Sequence, residues 1–512
     1  MHDMSSTSAS RSLPVLVAVC LAAVILPLNF SAGAVATLAI GREFGGADTH
    51  LAWITNAFML TFGSSLMVAG ALADEFGRKR MFVGGVAALT VLSFGLCVAP
   101  GILVIDVIRA LQGFAAAAAL AGGSAALAQV FGGRALTRAF SALGTSFGVG
   151  LAFGPLLAGA LIGRFGWRSV FLVIALIGIV ALVGGAPRMR ESRDPEASGV
   201  DWPGAATFTT ALACFTFAVV QAPRFGWGSA STIGLLVASM LLAGTFVWVE
   251  GHVRRPMLDL SLFRFPRFIG VQVLPLGTCY CYIVLLVMLP LRFIGIDGLS
   301  ELDAGMMMLA LSAPMLVVPS LAASLTRWVA PGVLAAAGLT VAALGLYLMS
   351  RIPMGGSPVT LILAMLVIGC GTGLPWGLMD GLSITVVPTD RAGMATGIFS
   401  TIRVAGEGVA LAIVTAVLAS LIQVRMSATG VMADHVREAG AQLAAGDLAQ
   451  AQRWLPSASR AVLTGYYTEA FRILLLVLAA ITALAAIVTF FCLTEVAGRA
   501  RSSEAGWLPD LP

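Results

Sequence analysis

Charged residues are scarce in this chain, and those within or beside long apolar runs mark its chemistry. The densest group is Asp74, Gly77, Arg78, Lys79 and Arg80, in Gly70-Ala-Leu-Ala-Asp-Glu-Phe-Gly-Arg-Lys-Arg-Met between two apolar segments. Such a knot can clamp the ends of neighbouring helices through ion pairs. Farther on, Asp106, Arg109 and Gln112 are spaced three apart in an apolar run and so share one helical face. An arginine within hydrocarbon is costly and faces a cavity or a partner. A structural pair with Asp106 and a place facing a cavity are both open. Glu407 stands four residues after Arg403, so those two can pair on one helix face. Asp380 lies near Trp376 and the helix breakers Gly373 and Pro375. A partly buried carboxylate beside an arginine can exchange a proton as its surroundings open and close. For each of these two acids, a fixed ion pair or an interfacial end-cap is the structural alternative.

The elements that must position these residues are membrane spans. The 512 residues are 59% hydrophobic and 11% charged, against about 45–50% and 25% in ordinary soluble domains, and the mean hydropathy is +0.96. Fourteen apolar segments reach the length of about 20 residues that a bilayer requires. They fall near 13–38, 51–72, 81–99, 102–129, 139–162, 167–186, 203–221, 230–250, 268–291, 304–326, 331–350, 358–381, 394–421 and 468–493. The first is too long for the apolar core of a secretory signal and is read as a retained helix. With the N-terminus inside, the inner loops hold 17 Lys and Arg and the outer loops ten, four of them in the long segment 423–467. The excess of cations in short cytoplasmic loops therefore places both termini in the cytoplasm.

Other chemistries find little support. The seven cysteines all lie in apolar segments without metal-ligand spacing, and the four histidines, His2, His50, His252 and His435, lie outside the spans, so neither a zinc site nor a histidine proton relay is expected. The net charge of +5 is spread through the loops, which argues against nucleic-acid binding. No G-x-x-x-x-G-K-[ST] loop is present, so ATP is not expected as the energy source. Nothing suggests an enzyme, a cofactor or a catalytic residue.

The motifs carry a family resemblance. The segment from Gly70 through Asp74, Gly77, Arg78 and Lys79 resembles the signature between the second and third helices of the major facilitator superfamily. Arg109-Ala-Leu-Gln-Gly113 is similar to that family's fourth-helix signature, in which the arginine is implicated in proton coupling. Gly150-Leu-Ala-Phe-Gly154-Pro155-Leu-Leu-Ala158-Gly159 resembles the fifth-helix pattern of exporters that run as antiporters, with Ala158 at one glycine position. Asp201-Trp-Pro-Gly204, Phe225-Gly-Trp-Gly228 and Arg255-Pro-Met-Leu-Asp-Leu-Ser-Leu-Phe263 resemble the central insertion of the fourteen-span drug:proton antiporters, the EmrB/QacA branch. Pro388-Thr-Asp-Arg-Ala-Gly393-Met-Ala-Thr-Gly397 resembles that branch's entry into its thirteenth span. The likeness runs from about 13 to 493.

The resemblance implies an all-α polytopic membrane protein with the major facilitator fold. Its parts are a cytoplasmic N-terminus (1–12), a six-helix bundle (13–186), a linker with two inserted helices (187–267), a second six-helix bundle (268–493) with an extracytoplasmic loop (423–467), and a cytoplasmic C-terminus (494–512). Substrate in such transporters binds between the halves, which nominates Asn29, Gln112, Tyr280, Tyr282 and Trp376 as cavity residues. Asn29 departs from the branch, whose first helix usually carries an acid there, so proton coupling falls to Asp106, Arg109, Glu407 and Asp380, with Asp106 first. The expected function is export of a lipophilic or amphipathic small organic compound, a drug or an endogenous metabolite, in exchange for protons across the inner membrane. Proton-coupled uptake, or a receptor or scaffold on the same fold, is the alternative. A monomer is expected, with small-molecule substrate, protons and the bilayer as partners. Loop 423–467 is read as a solvated connector, with a substrate-capturing lid as the alternative.

Overall fold

A computed structural model describes residues 4–44, 48–131, 133–193, 201–253, 258, 260–353, 355–386, 392–427 and 433–504. Among them, 14 segments are long and apolar enough to cross a membrane. Helices are the form such segments must take, because hydrocarbon offers no partner for an unpaired backbone N–H or C=O.

The first six spans are α1 (Met4–Phe44), α2 (Asp48–Phe76), α3 (Arg78–Cys97), α4 (Ile102–Val130), α5 (Gly133–Phe165) and α6 (Arg168–Gly185). They form one bundle in which α4 lies against α2 and α3, and α1 against α5 and α6. The reversal from α2 to α3 turns on Gly77, whose φ of 119° is a conformation that other residues rarely adopt. The inserted pair, α7 (Trp202–Phe225) and α8 (Ala230–His252), is capped at its starts by Asp201, accepting from the Gly204 N–H, and Ser229, accepting from the Thr232 N–H. Helix α7 packs on α2. Helix α8 stays peripheral, with Met240, Leu241 and Trp248 exposed as befits a lipid-facing surface.

The second bundle opens with a composite span, α9 (Pro266–Thr278) and α10 (Val284–Leu291), with π-helical turns at Cys279–Ile283 and Arg292–Ile296. Pro275 and Pro290 each precede one of these turns and remove a backbone donor. The expected span at 304–326 is two helices, α11 (Glu301–Ser312) and α12 (Pro314–Leu325), interrupted at Ala313 before a proline. Helices α13 (Pro331–Ser350), α14 (Pro358–Thr385), α15 (Ala392–Ser427) and α18 (Arg460–Glu504) complete the bundle. The helical backbone exceeds the expected spans at both ends of the chain, beginning at Met4 and running from Arg460 to Glu504. Residues 387–391, within the expected entry to the thirteenth span, lie outside the described residues.

In its described residues, segment 423–467 is more than the expected solvated connector. It contains α16 (Ala433–Ala444) and α17 (Leu448–Trp454), and Ala439, Leu443 and Ala451 are fully buried in the main core. The apolar positions of α16 fall on one face, and that face is what the bundle covers. Gly446, at φ 85°, lets the turn approach Gly295, where an added Cβ would meet the Gly446 carbonyl at 1.8 Å. Arg224 of α7 pairs with Glu438 at 3.0 Å, and Gln423 donates to the Pro223 carbonyl at 3.0 Å, tying this cap to the inserted helices. Because the spans alternate in direction, the cap and the Asp74–Arg80 knot occupy opposite faces, called here the cap face and the knot face.

Candidate functional site

Three groupings hold the chemistry. The first is a node around Arg109, fully buried within the N-terminal bundle. Its Nη1 donates to Asn29 Oδ1 at 2.7 Å and to Gln112 Oε1 at 3.0 Å, and its Nε to the Ile54 carbonyl at 2.7 Å. Gln112 in turn donates to Ser93 Oγ at 2.9 Å. Four helices, α1 to α4, thus meet at one guanidinium, which also lies 4.6 Å from the Phe58 ring centroid. Gly33 makes room for it, since a Cβ there would sit 2.7 Å from Nη2. Gly113, next after Gln112, lets α4 approach α2 so closely that a Cβ would meet the Phe58 carbonyl at 2.5 Å.

This placement corrects two expectations. Asn29 and Gln112 are fully buried inside one bundle and do not line an open cavity. The neutral Asn29 satisfies Arg109 through its amide oxygen, where the related exporters usually place an acid. Asp106, one turn before Arg109, is half-buried and acts on it through space.

The second grouping is the seam between the bundles. Helix α5 faces α11, and α2 faces α15. The glycines of the fifth-span pattern divide the work. Added Cβ atoms at Gly150 and Gly154 would strike Pro27 and Ser31 of α1, while one at Gly159 would lie 2.2 Å from the Glu301 carbonyl of the opposite bundle. Gly305 returns the approach, its Cβ position lying 3.0 Å from the Pro155 carbonyl. Near them Arg42 pairs with Glu301 across the seam at 3.2 Å. On the other side, a Cβ at Gly63 of α2 would lie 2.5 Å from Ala405 Cα, and one at Gly408 would lie 3.0 Å from Met59 Cβ.

Glu407 sits between Ala405 and Gly408 at that seam, partly buried and near Cys279 of the first π-helical turn. Its expected partner is engaged elsewhere: Arg403 donates to Asp380 of α14 at 3.0 Å. The helix places Arg403 toward α14 and the knot face, so Asp380 competes successfully for it. Glu407 has no hydrogen bond or ion pair among the described residues. Trp376 and Tyr282 are buried against each other, their ring centroids 6.3 Å apart, and Tyr280 is half-buried beside them in sequence. All three expected aromatic cavity residues therefore belong to the second bundle's core wall.

The third grouping is the knot. Arg78 donates to Asp74 at 2.9 Å, and the Arg78 backbone N–H reaches the Ser192 carbonyl at 3.0 Å. Glu191 accepts from the Lys79 backbone N–H at 3.1 Å and lies 3.6 Å from Arg80. The knot thus ties the α2–α3 turn to the chain leaving α6. The described contacts hold it within the N-terminal bundle and its linker, at the ends of neighbouring helices. Gly70, at its start, has open space around its Cβ position.

A residue pair that sequence reasoning missed lies on the cap face. Arg168, at the start of α6, pairs with Glu43, at the end of α1, at 2.7 Å, and the Trp167 indole N–H donates to the same carboxylate at 2.7 Å. These bonds hold the Glu43 carboxyl below the usual glutamate range. Only the adjacency of Trp167 and Arg168 hinted at it.

Two bundles of membrane-length helices meet at a glycine-lined seam, with a buried arginine node in one and Glu407 at the seam, and the family match makes this architecture that of a membrane transporter. The chain belongs to the Major Facilitator Superfamily, whose family model matches residues 18–411. It is 30% identical over 385 residues to Multidrug resistance protein Stp of Mycobacterium tuberculosis, covering 74% of this chain and 71% of that one. It is 26% identical to the Tetracenomycin C resistance and export protein of Streptomyces glaucescens, covering 82% and 78%. With the probable actinorhodin transporter of Streptomyces coelicolor it shares 30% identity over 80% and 73%. In fold it is similar to a bacterial homologue of the human lysosomal transporter Spinster, with a TM-score of 0.63, 16% identity and coverage of 98% and 99%. It is also similar to a peptide transporter, POT, with a TM-score of 0.60, 14% identity and coverage of 94% and 95%.

Proposed function

We propose that this transporter exports a small lipophilic or amphipathic organic compound across the cytoplasmic membrane in exchange for protons, with both termini in the cytoplasm. Relatives of similar length that carry names of drug resistance and of antibiotic export support the direction and the cargo class. The observation that carries the coupling is Glu407, a seam carboxylate with no hydrogen bond or contact ion pair among the described residues, since Arg403 bonds to Asp380 and acts on Glu407 only through space. Such a group takes a proton when the seam seals around it and returns it when water enters, because an ionised carboxylate in a dry site is costly. This moves the principal coupling role from Asp106 to Glu407, with Asp106 and Asp380 as secondary groups and Arg109 as the post that holds four helices in register. The close seam contacts on the cap-face side support a resting state open toward the knot face, which is the cytoplasmic side in this reading. The protein acts as a monomer and draws on the proton gradient.

Purified protein in proteoliposomes, given a panel of dyes and aromatic antibiotics, is expected to release protons on substrate addition and to accumulate substrate only with a pH gradient. Glu407→Gln is expected to bind substrate but lose both responses. Proton release by Glu407→Gln equal to wild type would remove Glu407 from the role. An impermeant thiol reagent that labels a cysteine at Ser229 only after lysis would overturn the orientation.

A further inference from the structure

A cavity of about 220 Å³ lies on the cap face of the second bundle, at the ends of the composite span, α13 and α18. Three arginines line it. Arg292 sits in the last turn of the composite span with its side chain 7% exposed, Arg351 follows the end of α13, and Arg472 lies in the early turns of α18. We propose that this cavity is a binding site for the phosphodiester headgroup of an anionic phospholipid.

Charge is the first argument. Arg292 is matched by Asp297 at 3.3 Å, while Glu469 is shared between Arg472 at 2.6 Å and Arg425 at 3.4 Å. Arg351 has no side-chain partner among the described residues. Three guanidiniums thus line the cavity against two carboxylates, one of which is shared with Arg425 outside it, so the cavity is left cationic. The nearby hydroxyls add little donor capacity, since Ser350 donates to the Tyr347 carbonyl at 2.6 Å and Thr468 to the Thr464 carbonyl at 2.6 Å. An occupant must therefore be an acceptor that takes bonds from arginine, and the planar guanidinium fork fits phosphate oxygens.

Shape and depth supply the second argument. The floor is apolar, with Met349, Ile352 and Leu475 beside Phe471, over whose ring Arg292 stacks at 5.1 Å. All three arginines stand at span ends, the depth at which headgroups lie. Below them, Leu344 and Leu348 of α13 and Leu476 and Val477 of α18, which pack side by side, are exposed toward the bilayer. These exposed apolar side chains on two adjoining helices suit acyl chains and have no use for a free phosphate ion. A zwitterionic headgroup would bring its own cation into a site already in cationic excess.

The test uses full-length protein in phosphatidylcholine nanodiscs doped with photoactivatable phosphatidylglycerol, with cross-links mapped by peptide. Labelling is expected at residues 349–353 and 468–475, and a phosphatidylcholine probe should label them weakly. Arg351→Ala should cut the labelling about fivefold, the effect of removing one interfacial cation, and Arg351→Lys should restore most of it. Arg351 makes no side-chain hydrogen bond or ion pair among the described residues, and an unchanged melting temperature in Arg351→Ala separates lost binding from lost folding. Equal labelling by the two probes, or labelling of Arg351→Ala at the wild-type level, would overturn the proposal. Displacement of the probe by inorganic phosphate as effective as displacement by unlabelled phosphatidylglycerol would also overturn it, in favour of a soluble anion.

Discussion

Arg403 gives its hydrogen bond to Asp380, 3.0 Å away on α14, and leaves Glu407 one turn along its own helix without an ion-pair partner. Removing Asp380 would free Arg403 to swing toward Glu407 and hold it ionised. Asp380→Asn is therefore expected to slow coupled transport by about tenfold, the rate equivalent of 1.4 kcal/mol, and the double variant Asp380→Asn with Arg403→Gln to recover part of it. Proton-driven efflux in vesicles provides the measurement. Equal loss in the single and double variants would show that Asp380 acts independently of Arg403.

The Arg109 node predicts a large structural effect. Arg109→Ala strands Asn29, Gln112 and the Ile54 carbonyl in a dry interior, and a loss of about 3–5 kcal/mol is expected from removing one member of a buried charged network. Asn29→Asp keeps the geometry, replaces a neutral acceptor by a charged one and should raise the melting temperature. Thermal unfolding in detergent checks both. A lower melting temperature for Asn29→Asp would mean that desolvation of the new charge outweighs its attraction to Arg109.

At Gly33 a methyl group would enter the space of Arg109 Nη2, 2.7 Å away. Gly33→Ala is expected to destabilise the bundle by about 1–3 kcal/mol, the usual cost of overpacking. Gly144→Ala, with open space around its Cβ position, is the matched control and should unfold at the wild-type temperature.

The seam glycines should control conformation more than stability. Gly159→Ala places a methyl group 2.2 Å from the Glu301 carbonyl of the other bundle, which penalises closure on the cap face. Labelling of a cysteine introduced at Ser300 by a membrane-impermeant reagent should become several times faster in Gly159→Ala. An unchanged rate would place the cap-face closure elsewhere.

The Glu43–Arg168 latch carries a pH dependence of definite sign. Arg168 and Trp167 hold the folded Glu43 carboxyl below its ordinary range. Its contribution is therefore complete above the unfolded glutamate pKa and is lost as pH falls through the folded value. Wild type should lose its margin over Glu43→Gln only in strongly acidic buffer, and the two melting curves should converge there. A margin that persisted in acid would show that the latch acts through packing alone.

In the knot, Arg78 bonds to Asp74 within one helix turn while Glu191 secures its neighbours. Exposed pairs are worth about 0–1 kcal/mol each, so Asp74→Asn and Arg78→Ala should express normally. Transport should fall strongly, because the side-chain pair that fixes the shape of the α2–α3 turn, and so aims its backbone N–H groups at Ser192 and Glu191, is lost. Wild-type transport by both would remove the knot from the transport cycle.

Span number, helix class and the sites of the knot and of the fifth-span glycines were legible in the sequence because they depend on local quantities. Twenty apolar residues form a membrane helix wherever they stand, and Gly77, inside a charged break between two such runs, permits the turn made there. Partner choice was not legible. Spacing of four allowed Arg403 to meet Glu407, yet a long side chain on a crossing helix can equally reach across, and only the packing of α14 against α15 gave Arg403 to Asp380. Likewise, Asp106 was within sequence reach of Arg109, whereas Asn29, 80 residues away, became its acceptor only through the packing of α1 against α4. The burial of α16 and α17 also escaped, because a short amphipathic helix looks soluble until an apolar surface covers its face. Hydropathy along a chain counts its helices; which side chains meet depends on how those helices cross, and that is decided only when the bundle closes.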